Sequence, residues 1–407
     1  MDPADRAQRR FPRRVPPHHP LEMDYLVIAR KYRPQTFSDV AGQDVVARTL
    51  TNAIRSNRVA HAYLFTGPRG VGKTSMARIF AKALACEQGP TTEPCGVCQH
   101  CMMITNGSHP DVVEIDAARF NSVDDIRTLA DQASFAPSLA RMRLFILDEV
   151  HMLSNAAWNA LLKVLEEPPA HLRFIFATTE VDRVLPTVLS RCQRFDFRSI
   201  ALDDIVKRLR SIAETEGMAL SEPVLYRLAR AAGGGMRDAQ TLLDQLIAVS
   251  ENGVREEDLN LLLGAARGED VEALVSALIA GQTAQALEHL ESTSQAGVAP
   301  ASLLDQVIDH LRGMLLLQAC GRDSPALRRL GLLTEALERH AKDCPPEKSL
   351  RICQLLVGCQ QALRHGVDPR LQLELTCVRI SRLGQLAGID DLLKRLERLE
   401  SAGPPRP

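Results

Sequence analysis

The sequence predicts an α/β phosphate-loop domain built on a parallel sheet, followed by two all-α domains. Three observations carry that prediction. Gly67-Pro68-Arg69-Gly70-Val71-Gly72-Lys73-Thr74 fits G-x-x-x-x-G-K-[ST], a loop whose backbone N–H groups wrap phosphate oxygens. Between Ala62 and Arg198 short apolar runs alternate with helical segments, the pattern of a parallel sheet covered by helices. Beyond about Ile200 the strand signals stop, and leucines recur at three- and four-residue spacing.

Taken in chain order, Ala62-Tyr63-Leu64-Phe65 reads as a buried strand that feeds the loop. Lys73 to Ala85 reads as the helix after it, with Met76, Ile79, Phe80 and Ala83 on one stripe. Strand, glycine loop and helix N-terminus together make a phosphate site, because the helix dipole favours negative charge there. Asp111–Ile115, Arg143–Leu147, Arg173–Thr178 and Arg194–Phe197 read as the further strands. Helices are expected at Asp124–Ala133 and at Asn155–Glu166, the latter halted by Pro168-Pro169. Leu202–Glu216, Glu222–Ala232, Arg237–Val249 and Glu256–Leu263 read as a small helical domain interrupted by Gly233-Gly234-Gly235. Val271–Ala280, Ala284–Glu291, Ser302–Ala319, Leu333–Lys342, Leu350–Leu363 and Leu371–Leu386 read as a helical bundle, followed by a charged helix near Asp390–Leu399. The expected divisions are 1–23 as a disordered Pro- and Arg-rich extension, 24–200, 201–267, 268–388, and a 389–407 tail.

Composition narrows the function. The 407 residues are 45% hydrophobic but only 4% aromatic, so the cores must be built mainly from Leu, Ala, Val and Ile. A net charge of -1 gives no global field for nucleic acid, so any DNA contact must be a local patch. No apolar run approaches the ~20 residues of a membrane span. Residues 1–22 hold five Arg and no apolar core of a signal peptide, which points to the reducing cytosol.

The chemistry follows from the loop. Lys73 is placed to reach the β/γ-phosphates of ATP, and the Thr74 hydroxyl to hold Mg²⁺. Ser75 completes the nucleotide-binding run Gly67–Ser75. Asp148 and Glu149 follow the strand Leu144–Leu147 and fall at the carboxyl edge of the sheet, where ligands bind in open α/β folds. Asp148 is expected to position Mg²⁺ and Glu149 to polarise the attacking water. Thr178 ends the next strand and is a candidate γ-phosphate sensor. Arg191, in Ser190-Arg191-Cys192, is a candidate for stabilising phosphoryl-transfer charge in its own site or a neighbour's. Arg237, after the triple glycine, is placed to couple phosphate state to domain angle. Asp148-Glu149-Val150-His151 also spells a helicase DExH box. A helicase needs a second domain of parallel strands, and the rest of this chain reads as helices.

Four of the ten cysteines, Cys86, Cys95, Cys98 and Cys101, form C-x8-C-x2-C-x2-C. Four thiolates at that spacing can enclose one tetrahedral Zn²⁺ in a closed, structural site, with disulfides as the alternative. His100 and His109 are spare ligands. Cys192, Cys320, Cys344, Cys353, Cys359 and Cys377 read as small buried residues.

These residues resemble one family, the gamma/tau subunit of bacterial DNA polymerase III, the ATPase of the replicative clamp loader. The resemblance rests on Ala29-Arg30-Lys31-Tyr32-Arg33-Pro34, Gly42-Gln43, His61–Gly67, the four-cysteine module, Leu147–Leu153, Asn159–Pro169 and Ser190-Arg191-Cys192. It covers about Asp24 to Asp238. It implies an AAA+ fold with an all-α lid and an all-α collar. It further implies that Arg191 acts in trans, that Thr178 and Arg237 are sensors 1 and 2, and that Arg30, Arg33 and Pro34 line the adenine side. The helix around Asn159–Lys163 and the loop Arg119–Ser122 are implied to face DNA, although that loop carries no Lys.

The family's function is then the expectation here: an ATPase motor that opens the sliding clamp and loads it onto primer-template DNA. The implied partners are the delta and delta-prime subunits, other copies of this chain, the beta sliding clamp and DNA. The implied place is a nucleoid-associated replisome in the bacterial cytoplasm. Only about twenty residues follow the last collar helix, so the chain resembles the short gamma-like form, without polymerase tethering. The family is classed with DNA-directed DNA polymerase, yet no polymerase active site is visible. The alternatives are a delta-prime-like stator that does not hydrolyse ATP, and a zinc-finger DNA-binding protein.

Overall fold

Five apolar runs form one parallel sheet. They are β1 (Ala62–Thr66), β2 (Val112–Asp116), β3 (Arg143–Asp148), β4 (Leu172–Thr178) and β5 (Gln193–Asp196), in the order β2-β3-β4-β1-β5. The computed structural model describes residues 26–119, 123–250, 253–324, 326–327, 334–363 and 366–383. The expected 1–23 extension, Phe120 to Ser122 of the candidate DNA loop, the helix near 390–399 and the tail lie outside the described residues.

Both faces of the sheet are covered, so its central strands are continuously apolar rather than alternating. Alternation of direction still sorts their side chains. Tyr63, Phe65, Ile146 and Ile175 join one core with Leu50, Met76 and Phe80. Leu64, Phe145, Leu147, Phe174 and Phe176 join the other with Trp158 and Leu161. The few aromatics are concentrated here: Phe174 stacks on Phe176 at 5.4 Å and Trp158 meets Phe176 edge-on at 5.6 Å. Each such fully buried side chain contributes about 1.5–3 kcal/mol, so a small aromatic count suffices.

Around the sheet lie α1 (Ile28–Lys31), α2 (Asp44–Arg55), α3 (Lys73–Ala85), α4 (Gln99–Asn106), α5 (Val123–Ala133), α6 (Asn155–Glu166) and α7 (Pro186–Leu189). The Ser154 hydroxyl caps α6 by accepting from the Ala157 N–H at 3.2 Å. Helix α4 has no counterpart in the sequence reading. It is only eight residues long, and its cap is the Cys98 sulfur, which accepts from Cys101 N–H.

Next come α8 (Leu202–Thr215), α9 (Glu222–Ala231), α10 (Met236–Val249) and α11 (Glu256–Leu263), packed around Leu209, Leu228 and Leu243. Ile28 of α1 is buried in this same core, so the N-terminal segment belongs as much to the helical domain as to the sheet. Lys31 and the Tyr32 hydroxyl both bind Glu216 Oε1, at 2.7 and 2.5 Å.

Among the described residues the bundle comprises α12 (Gly268–Ala280), α13 (Thr283–Gln295), α14 (Pro300–Cys320), α15 (Glu335–Asp343), α16 (Pro346–Leu363) and α17 (Pro369–Ser381). Its core includes Leu303, Leu311, Met314, Leu337, Ile352 and Leu356. Arg230 of α9 reaches Asp309 of α14 at 2.7 Å, joining the two helical regions. Cys344, Cys359 and Cys377 are buried as expected. Cys320 is exposed at the end of α14, while Cys192 and Cys353 are half-buried, which corrects the reading of all six as core residues. No helix among the described residues is long and apolar enough to cross a membrane.

Candidate functional site

The phosphate loop occupies the turn from β1 into α3. Gly67 has φ 142°, and a Cβ there would sit 2.3 Å from the Phe197 carbonyl oxygen, so no other residue fits. Gly70 has φ 77°, and a Cβ would meet Asp238 Oδ2 at 3.0 Å and Gly235 Cα at 3.2 Å. The loop is thus closed from two sides, by the segment that follows β5 and by the helical domain.

Strand register sets the rest. Thr66 pairs with Thr178, and Leu147 with Phe176, so the carboxyl ends of β1, β3 and β4 fall at one edge. Lys73, only 6% exposed, turns its Nζ onto the Gly67 and Pro68 carbonyls at 2.8 Å each. Burial pushes the Lys73 ammonium down, and Glu149 and Asp148 oppose that shift. The Thr74 hydroxyl donates to Asp148 Oδ2 at 2.5 Å. Glu149 adopts the left-handed region (φ 51°), which costs a non-glycine residue energy, and its N–H donates to Asp148 Oδ1 at 2.9 Å. Thr178 is fully buried, and its backbone oxygen accepts from Gly67 N–H at 3.2 Å. Lys73, Thr74, Asp148, Glu149 and Thr178 are therefore gathered around one loop.

Arg237 lies in the first turn of α10, and its N–H donates to the Gly70 carbonyl at 3.3 Å. Arg69, Val71 and Ser75 lie in the loop and the first turn of α3. Arg33 is half-buried. Burial lowers its pKa first, and the positive charges of Arg78, Arg237 and Arg30 lower it further. Glu114 opposes that lowering, so Arg33 shares one electrostatic neighbourhood with Arg78, Glu114 and Arg237. Arg30 is exposed on α1, and Pro34 is half-buried next to Arg33. Arg191 is not part of this group. It donates from Nη2 to Glu166 Oε1 at 2.9 Å and from Nη1 to the Thr187 carbonyl at 2.7 Å.

Other residues in the site escaped the sequence reading. Thr179 Oγ1 donates to Glu149 Oε2 at 3.3 Å. Arg78 grips Glu114 of β2 through two contacts, at 2.5 and 2.8 Å. His151 sits between Glu149 and Thr178. Of these only His151 carries a sequence signal, through the DExH spelling and the Leu147–Leu153 stretch, and neither assigns it a role in the site.

The four-cysteine cluster forms as the spacing predicts. The Sγ atoms of Cys86, Cys95, Cys98 and Cys101 all lie within 4.8 Å of one another. An ion ~2.3 Å from each sulfur requires S···S distances of about 3.8 Å, and Cys86 to Cys95 is 3.7 Å. The Cys98 N–H donates to Cys95 Sγ at 3.3 Å and the Cys101 N–H to Cys98 Sγ at 3.5 Å. N–H groups of Cys98 and Val97 pull the Cys95 thiol down to about 7, whereas burial pushes Cys101 up. Donor type and spacing fit a structural metal ion. Arg141, just before β3, holds the loop leaving Cys86 by donating to the carbonyls of Cys86, Glu87 and Gly89. His100 and His109 are not ligands of this cluster and pair with each other at 2.9 Å.

A parallel five-stranded sheet with a phosphate loop at its carboxyl edge, closed by a helical domain, defines an AAA+ phosphate-loop nucleotide-binding fold. Residues 42–201 match the family model described as DNA polymerase III, delta subunit. Residues 204–252 match the DNA polymerase III clamp loader subunit ATPase lid domain, and 254–396 match domain III of DNA polymerase III subunits gamma and tau. The chain is 42% identical over 383 residues to DNA polymerase III subunit tau of Bacillus subtilis, covering 93% of this chain and 68% of that protein. It is 38% identical over 361 residues to the tau subunit of Escherichia coli, covering 88% of this chain and 55% of that one. The chain belongs to the DNA polymerase III gamma/tau family. Among solved structures, the Thermotoga maritima RuvB Holliday junction branch migration motor aligns at 16% identity and a TM-score of 0.43, over 61% of this chain and 79% of its own.

Proposed function

We propose that this chain is the ATP-hydrolysing motor of a replicative clamp loader, which opens a sliding clamp and loads it onto primer-template DNA. The observation that carries the reading is the Thr74–Asp148 contact at 2.5 Å, with Lys73 and Glu149 on either side of it. A stator that only assembles has no need for this arrangement. Residues 24–200 form the nucleotide-binding domain in this reading, 201–267 the lid and 268–388 the oligomerising collar.

The roles follow from position. Within Gly67–Ser75, the backbone N–H groups from Arg69 onward, with the Lys73 ammonium, bind the phosphates, while Arg30, Arg33 and Pro34 flank the base. Thr74 and Asp148 hold Mg²⁺, which when bound offsets charge on the β- and γ-phosphates. Glu149 orients the attacking water, and Thr178 reads the γ-phosphate. Arg237 carries that state into the lid, because its backbone already bonds Gly70. Arg191, turned toward α6 rather than its own loop, serves the site of a neighbouring copy. Cys86, Cys95, Cys98 and Cys101 hold a structural Zn²⁺. Asn159 and Lys163, exposed on one face of α6, contact DNA. The delta and delta-prime subunits complete the assembly in the bacterial cytoplasm.

The test is ATPase of the chain reconstituted with delta and delta-prime, with and without clamp and primed DNA. Stimulation by clamp plus DNA is expected. An assembled complex with no hydrolysis overturns the motor reading in favour of a stator.

A further inference from the structure

His151 is the one polar residue of the Asp148–His151 tetrapeptide that the proposed function leaves unused. The left-handed Glu149 turns the chain out of β3 into the single turn Val150–Met152, where His151 lies. The imidazole is 9% exposed. Its Nδ1 lies 3.1 Å from Thr178 Oγ1 and 3.4 Å from Glu149 Oε2, and its Nε2 lies 3.5 Å from Glu180 Oε1. One ring nitrogen thus faces both the candidate phosphate sensor and the candidate base.

We propose that His151 is a positioning residue that links the Thr178 hydroxyl to the Glu149 carboxylate, so that sensing of the γ-phosphate and alignment of the base occur together. The inference rests on the ATPase reading above. Hydrogen-bond valence supplies the logic. Thr178 Oγ1 accepts from the Glu180 N–H at 3.0 Å, which fixes its rotamer and leaves its own hydrogen to be directed. When that hydrogen points at Nδ1, the neutral ring carries its proton on Nε2, toward Glu180, and Nδ1 has nothing to give Glu149. When the Thr178 hydroxyl donates instead to a phosphate oxygen, Nδ1 is released. The tautomer protonated at Nδ1 then donates to Glu149 and fixes its carboxylate. The ring holds one proton in both arrangements, so no net proton is gained or lost. Phosphate at Thr178 and an aligned Glu149 are in this way mutually supporting.

The experiment is steady-state ATPase of the reconstituted complex carrying His151→Phe, His151→Asn or His151→Gln, with nucleotide affinity measured on each. Phe fills the space and carries no donor, so kcat falls by about 10–100-fold while KM and nucleotide affinity stay within about twofold. Asn places an amide near Nδ1 and recovers most of kcat. Gln reaches toward the Nε2 position and does not. A His151→Phe complex with wild-type kcat overturns the proposal. So does equal impairment of all three variants with a lowered Tm, which marks a packing role. If the wild-type complex shows no hydrolysis, the motor reading falls and this inference with it, whereas a normal wild type with a silent Phe variant removes only the role of His151.

Discussion

Arg191 is clasped by Glu166 of its own chain, Nη2 to Oε1 at 2.9 Å. The two side chains are 35% and 51% exposed, so solvent screens the pair and it contributes at most ~1 kcal/mol. A phosphate on a neighbouring copy is a stronger partner for a guanidinium than this carboxylate. Arg191→Ala is therefore expected to leave nucleotide affinity of the isolated chain unchanged. It should lower ATPase of the assembled complex by on the order of 10³-fold, the scale of an arginine finger. Nucleotide titration and steady-state turnover, side by side, check both halves. Wild-type turnover in the assembled variant sinks the trans assignment.

Lys73 and Glu149 separate binding from turnover. Lys73→Ala removes a buried ammonium aimed into the loop, and nucleotide affinity should fall by about 10–100-fold, the value of a charge-assisted hydrogen bond. Glu149→Gln keeps the shape of the side chain but not its basicity. Binding should persist while turnover falls by about 10²–10⁴-fold. Equilibrium binding of a fluorescent ATP analogue and single-turnover hydrolysis read the two effects separately.

The backbone of this site was legible in the sequence because it is local. Gly67–Thr74 is a contiguous run whose conformation demands those residue types, and Asp148-Glu149 follows an unmistakable buried strand. The cysteines were legible because ligand spacing is a sequence property. What escaped is long-range. Arg78, whose charge acts on Arg33 together with that of Arg237, comes from a third separate stretch of chain, and nothing in its own stretch announces the other two. Ile28 packing in the lid core is the same kind of event, since a four-residue helix has no periodicity to read. Asp111 shows the point from the other side. The sequence marks it only as the first residue of an apolar strand, yet burial pushes its carboxyl up and the N–H groups of Ala140, Ser138 and Leu139, with Arg143, outweigh that and hold it at about 2.

The cysteine cluster and Arg141 yield a pair of outcomes. Cys95→Ser takes away one of four ligands, so bound zinc measured by atomic absorption should drop and Tm should fall with it. Arg141→Ala leaves all four sulfurs in place but frees the carbonyls of Cys86, Glu87 and Gly89. It should retain zinc and lose about 1–3 kcal/mol of stability by denaturant unfolding. Full zinc content in Cys95→Ser would remove the metal assignment. Zinc loss in Arg141→Ala would instead make the arginine part of what shapes the site.

Acid should act first on the bundle. His310 Nε2 lies 3.0 Å from His340 Nδ1 in a buried pair, and His340 Nε2 lies 2.7 Å from Oγ of the exposed Ser276, a chain linking α14, α15 and α12. Burial, and then the His340 charge, push His310 down to about 4, and burial lowers His340 as well. Glu272 and Asp343 pull His340 the other way, and Arg339 adds to the lowering. The folded chain thus keeps His310 neutral in a range where the unfolded chain, near 6.5, takes up a proton. Unfolding absorbs protons in that window, so stability is full above pH 6.5 and declines as pH falls toward 4. The decline attributable to His310 is about 3 kcal/mol. Chemical denaturation between pH 7 and pH 4 should show it, and His310→Gln should flatten that part of the slope while lowering stability at neutral pH. An unchanged slope in the variant would show that carboxylates elsewhere carry the acid sensitivity.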